Sequence, residues 1–135
     1  MDHLTKSKRS WNMSQIRSKN TSIEKQVRSF FFNKGLRYRL YDKKLPGKPD
    51  LYFKKYNAVV FINGCFWHRH KNCKRSTMPK TNTEYWLDKF KKNVARDKEN
   101  IKKLKKLGFR IYIIWECQVH NKKMLDSLYK KIINI

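Results

Sequence analysis

The stretch that most limits the fold is "EYWLDKFKKNVARDKENIKKLKKLGFRIYIIWEC", which couples a long helix to a strand through one glycine. From about Glu84 to Leu107, the apolar residues Trp86, Phe90, Val94, Ile101 and Leu104 recur roughly along one helical face, and Gly108 ends the run. "RIYIIWE" (110–116) then reads as a buried strand. Upstream, "LYFKKYNAVVFING" reads as two strands around a short Lys-Lys-Tyr-Asn turn, and "RYRLY" (37–41) alternates as a further strand. A first helix lies in "TSIEKQVRSFFFNKG", with Ile23, Val27 and Phe30 or Phe31 at helical spacing. Thr21 with Glu24 fits a capping box at its start, and Gly35 fits its stop. A last helix runs from about Lys122 to Ile133. The order is helix, three strands, helix, strand, helix. A helix before the final strand permits a parallel crossover, so the expected class is α/β with a mixed sheet flanked by helices.

Nothing divides the chain further. It shows no repeat and no interior linker, and 135 residues suffice for one domain with a hydrophobic core. Residues 1–12 are polar and basic without periodicity and read as a flexible arm, leaving 13–135 as a single domain. The arm has no apolar run behind it, so it is not a signal peptide. No segment approaches the ~18 apolar residues of a membrane span. The expected location is the cytoplasm, where three cysteines suggest a metal or free thiols before disulfides.

Charge narrows the partner. Thirty-four Lys and Arg face only 10 acids, a net charge of +24. A balance this one-sided calls for a polyanion, nucleic acid ahead of an anionic membrane surface. An aromatic share of 14% separates the chain from a disordered basic tail.

With so few acids, each one is informative. Asp50 follows "LPGKP" and opens a strand. A lone Pro-Asp is ordinarily a polar residue closing a turn. If the next two strands pair as a hairpin, however, Asp50 shares an edge with the end of the second strand, which delivers Gly64 to His68. A carboxylate and a histidine so arranged can hold Mg²⁺ and activate water. Glu24 could complete such a site from the first helix, although its spacing favours the cap.

The run "GCFWHRHKNC" (64–73) carries two further constellations. His70 and Cys73 are spaced so that one loop could hold a tetrahedral metal from two sides, and Cys117 ends the last strand. For the fourth ligand Asp97 is best placed, with Glu116, His68 and His120 weaker. The plain alternative is a buried thiol and a surface imidazole. Phe66 and Trp67 are adjacent, so on an extended chain they face opposite ways and cannot both enter one core. Trp86 fits the core by spacing. Exposed aromatics beside lysines could stack on bases or wedge between them.

These motifs together resemble one family. "NMSQIRSKNTSIEK", "LPGKPDL", "FINGCFWHRHKNC", "PKTNTEYW" and the helix–strand unit ending in "WEC" are similar, in order, to the very-short-patch-repair (Vsr) DNA mismatch endonucleases. The likeness runs from about residue 8 to 133. It implies a restriction-endonuclease-like fold with a structural zinc, and a Mg²⁺-dependent enzyme that nicks one strand at T·G mismatches arising from 5-methylcytosine deamination. By position it makes Asp50 a Mg²⁺ ligand together with the main-chain carbonyl of Ile62, His68 the residue that activates water, and Glu24 a glutamate near that site. It makes His70, Cys73, Asp97 and Cys117 the zinc ligands. Phe66, Trp67 and Trp86 become the aromatics that intercalate beside the mismatch, and Met13 and Ile16 an N-terminal wedge. The implied partners are duplex DNA and, functionally, a cytosine-C5 DNA methyltransferase; the implied state is a monomer, nucleoid-associated when bound. Two departures stand out: Asn63 replaces a histidine found in well-studied members, and His-x-x-Cys replaces a His-x-Cys. The competing reading is a zinc-stabilised DNA-binding protein without catalysis, which leaves Asp50 facing a polyanion without a purpose.

Overall fold

The computed structural model describes residues 21–134. Residues 1–12, expected to form an arm, and Met13 and Ile16 lie outside the described residues. Helix α1 (Ser22–Asn33) leads into β1 (Arg39–Leu40), β2 (Leu51–Phe53) and β3 (Ala58–Asn63); α2 (Thr83–Lys106) is followed by β4 (Arg110–Trp115) and α3 (Lys122–Ile133). Short 3₁₀ turns occupy Lys54–Tyr56 and Glu116–Gln118.

The strands form one sheet in the order β1-β2-β3-β4. The first three are antiparallel, with Leu51 opposite Val60, and β4 runs parallel to β3, with Ile62 opposite Ile114. The expected mixed sheet is therefore present, with α2 as its crossover. Strand β1 is shorter than the alternation in "RYRLY" suggests. Only Arg39 and Leu40 pair, and both are exposed.

Successive strand residues point to opposite faces, and each face has its own cover. On one face Ala58, Val60, Ile62 and Ile114 join Val27 and Phe31 of α1 and Leu125, Leu128 and Ile132 of α3 in the main core. Fully burying each such side chain stabilises by roughly 1.5–3 kcal/mol. On the other face Phe61 and Ile113 meet Ile101 of α2 along a cleft. The expectation that β4 is a buried strand holds only in part: Ile114 alone is fully buried. As a terminal strand of the sheet, β4 has a neighbour on one side only.

The helix ends follow the sequence closely. Thr21 accepts from the Glu24 backbone N–H at 3.3 Å, while the Thr21 N–H donates to Glu24 Oε2 at 3.2 Å, completing the capping box. At the other end Gly35 adopts φ +89°, and the Leu36 N–H returns to the Phe31 carbonyl, so the helix stops through a left-handed residue. No described helix is long and apolar enough to cross a membrane.

Candidate active site and metal cluster

The β2–β3 pairing decides where Asp50 goes. In an antiparallel ladder the N–H and C=O of one residue point to the same neighbour. Val60 faces Leu51, so Ile62 also faces the β2 side, just beyond the point where β2 begins. Asp50 fills that place, and its Oδ2 accepts the Ile62 N–H at 2.7 Å.

Around that edge lies a cleft of about 620 Å³, whose lining includes Glu24, Asp50, Ile62, Asn63, His68 and Asp97. Burial pushes the Asp50 carboxyl up to about 8; the hydrogen bond and negative charge of Glu24 add to the rise, and the Ile62 N–H opposes it. Two acids thus face each other in a chain with few acids. Glu24 is itself buried, so it serves as both the cap and a cleft residue.

Opposite them stands His68. Its Nδ1 lies 2.6 Å from Asp97 Oδ2, with both side chains about one-third exposed. The structure does not bring Asp97 to the cysteines, where the resemblance puts it. From α2 its carboxylate is engaged with His68 rather than with the cysteines. The other fourth-ligand candidates are also engaged elsewhere: Glu116 accepts the Cys65 N–H at 3.4 Å, and His120 Nδ1 is 3.0 Å from Gln26 Nε2.

A fourth candidate donor beside them is Cys65. Ligand atoms of Cys65, His70, Cys73 and Cys117 lie within 4.8 Å of one another, a cluster able to hold a metal. His70 Nδ1 is 3.6 Å from Cys65 Sγ and 3.5 Å from Cys117 Sγ. The His70 ring stacks on Trp115, centroids 4.2 Å apart, which fixes its plane. The Ser76 hydroxyl shares its one proton between the carbonyls of Cys65 and His70, 2.7 and 2.9 Å away, closing the loop. Burial, first among several causes, raises the Cys65 thiol to about 12, while the Arg75 backbone N–H leads the causes that lower Cys73. The signal for Cys65 was present in the sequence: three cysteines and one histidine already number four donors.

The aromatics also differ from expectation. Phe66 and Trp67 sit in a run of turns (65–69), not an extended chain, so both enter one cluster, rings 5.1 Å apart. Trp86 joins them at 5.9 and 5.8 Å. All three are half-buried, and the Lys89 ammonium lies 5.6 Å from the Trp67 ring and 6.0 Å from that of Trp86.

Known proteins resemble the chain along most of its length. The family model described as DNA mismatch endonuclease Vsr matches residues 1–75. The type II nicking enzyme V.NmeAIP of Neisseria meningitidis is 45% identical over 132 residues, covering 98% of this chain and 94% of the relative. The DNA mismatch endonuclease Vsr of Escherichia coli is 43% identical over 122 residues, 90% of this chain and 78% of the relative. The type II nicking enzyme V.XorIIP of Xanthomonas oryzae is 38% identical over 98% of this chain and 97% of its own. A family match over more than half the chain, with relatives this similar end to end, establishes that the protein belongs to the Vsr family of DNA mismatch endonucleases.

Proposed function

We propose that the protein is a Mg²⁺-dependent DNA mismatch repair endonuclease that nicks one strand of duplex DNA at T·G mismatches left by 5-methylcytosine deamination. The observation that carries this reading is the cleft in which Asp50 and Glu24 stand across from the His68–Asp97 pair. A binding module has no use for two facing carboxylates, Glu24 buried and Asp50 half-buried, on a surface meant for phosphate. A cation between them does, because it relieves the repulsion that raises Asp50.

Asp50 and the Ile62 carbonyl would hold Mg²⁺, with Glu24 beside them. The ion would supply charge stabilisation to the phosphoryl oxygens and the leaving 3′ oxygen. His68 acts on water. With Nδ1–H donated to Asp97, its Nε2 keeps a free lone pair for a proton, and Asp97 fixes the ring. Phe66, Trp67 and Trp86 select the substrate, since unstacking a mismatched step costs less than unstacking a paired one. Exposed lysines along α2, such as Lys91, Lys92 and Lys98, supply contacts to phosphate whatever the sequence.

The cysteine cluster reads as structural zinc. Tetrahedral zinc with Zn–S of ~2.3 Å and Zn–N of ~2.05 Å has S···N edges of roughly 3.5–3.6 Å. The two measured edges at His70, 3.6 and 3.5 Å, match that figure. The protein would act as a monomer on nucleoid DNA in the cytoplasm, alongside a cytosine-C5 methyltransferase that creates the lesion's precursor.

The test is a labelled T·G duplex and its fully paired control, each incubated with Mg²⁺ and with Mg²⁺ plus EDTA. A single-strand nick confined to the mismatched duplex and abolished by EDTA is expected. Tight binding without a nick would favour the DNA-binding module instead.

A further inference from the structure

Glu24 must present a carboxylate to Asp50, and three donors converge on just one of its oxygens. The Thr21 N–H reaches Oε2 at 3.2 Å, the Tyr41 hydroxyl at 2.5 Å and the Arg28 guanidinium at 3.5 Å. The donors are themselves linked, with Arg28 Nη2 donating to Tyr41 Oη at 2.6 Å and its guanidinium 5.5 Å above the Tyr41 ring. Tyr41 achieves this from a backbone φ of +49°, a region that a bulky residue rarely adopts unless its surroundings require it. The ring also lines the cleft.

From this arrangement we infer that Tyr41 and Arg28 are positioning residues for the nuclease metal site. By committing Glu24 Oε2 to a fixed set of donors, they leave Oε1 as the atom directed at Asp50 and at a divalent cation beside it. Tyr41 holds Glu24 through its hydroxyl; Arg28 holds the hydroxyl and neutralises the far oxygen. A cap hydrogen bond alone would leave the carboxylate free to turn about its last torsion, which is a broad, two-fold rotor. The inference rests on the catalytic reading of Asp50 and Glu24.

The test is metal binding to the zinc-loaded, DNA-free protein, with Mn²⁺ followed by loss of the free-ion EPR signal. Tyr41→Phe deletes only the hydroxyl and should weaken Mn²⁺ binding by roughly 10–150-fold, the scale of one hydrogen bond to a charged group. Arg28→Gln should weaken it in the same direction. Zinc content and melting temperature should stay at the wild-type values in Tyr41→Phe. Unchanged Mn²⁺ affinity in both variants would overturn the inference. So would loss of zinc or of cooperative melting in Tyr41→Phe, because the hydroxyl would then be supporting the fold. Asp50→Asn is the control for the underlying reading. If it too leaves Mn²⁺ affinity unchanged, the metal site itself is misassigned; if it alone loses Mn²⁺, only the positioning role fails.

Discussion

The run from Gly64 to Cys73 feeds two sites that are built in opposite ways. The cysteine cluster is nearly local: Cys65, His70 and Cys73 come from one loop, and Cys117 closes it from the end of β4. The cleft is distributed, with Glu24 from α1, Asp50 from the turn before β2, Ile62 from β3, His68 from the loop and Asp97 from α2. A local cluster can fold around its ion and stabilise the loop that carries it. A distributed one can only be as accurate as the packing of the elements that meet there. His68 lies three residues after one cluster residue and two before another, so with a metal bound the local site would serve as the rigid mount for one half of the distributed site.

The largest effect should come from the mount. Cys65→Ser should lose one equivalent of zinc and cooperative folding together, since structural zinc contributes on the order of 10 kcal/mol in small domains. Asp97→Ala should keep its zinc in full. Metal analysis and thermal melting of the two variants decide between them, and zinc lost from Asp97→Ala but retained in Cys65→Ser would return the fourth position to the acid.

Next in size is His68. His68→Ala should slow nicking by about 10²–10⁴-fold without releasing zinc, the usual scale for losing a general base. Asp97→Asn should follow it in kind but less severely, by roughly 10–10²-fold, as an orienting carboxylate does. Single-turnover rates on the T·G duplex measure both. If Asp97→Asn nicks at the wild-type rate, the 2.6 Å contact is an ion pair without a catalytic part.

How legible each site was follows from the same contrast. The element order, the capping box at Thr21 and the stop at Gly35 were readable because each depends on neighbours in sequence. Asp50 and the end of β3 could be brought together from the hairpin alone, since register is fixed once Leu51 faces Val60. Asp97 is harder to place, because helical spacing gives the face of a residue but not the partner it meets there. Cys65 is also hard to place, because only Gly64 separates it from the strand that carries the cleft residues. Phe66 and Trp67 were separated by assuming an extended chain where the backbone turns instead. Tyr41 carried no signal at all, for nothing local announces a tyrosine at positive φ.

A smaller effect belongs to the aromatics between the two sites. Trp67→Ala should cut the preference for the mismatched over the paired duplex by the worth of one stacked base, roughly 1–3 kcal/mol. It should leave the salt dependence of binding nearly unchanged, because lysines and arginines set that slope. Affinities for both duplexes across a salt series test this. An equal loss on both would assign Trp67 wholly to the packed cluster with Phe66 and Trp86.

The smallest effect separates the two metals most directly. In the protein free of Mg²⁺, burial holds the Asp50 carboxyl up at about 8 rather than near its ordinary 3.8. Between those values the folded protein holds a proton that the unfolded chain has released, so stability must fall as pH rises. The contribution of neutral Asp50 is complete below about pH 4 and gone once pH passes about 8. Asp50→Asn removes the titrating group while keeping a polar side chain of the same shape. Its melting temperature should therefore exceed that of the wild type by a margin that grows from pH 5 to pH 8, reaching ~3–8 °C for a gain of ~1–2 kcal/mol in a domain of this size. Adding Mg²⁺ at pH 8 should raise the wild type toward the variant and leave the variant where it was. The melting temperatures of both proteins, with and without Mg²⁺ across that range, read the outcome. A margin that is flat with pH would mean the buried acids do not share a proton, and a cation would then have no repulsion between them to relieve.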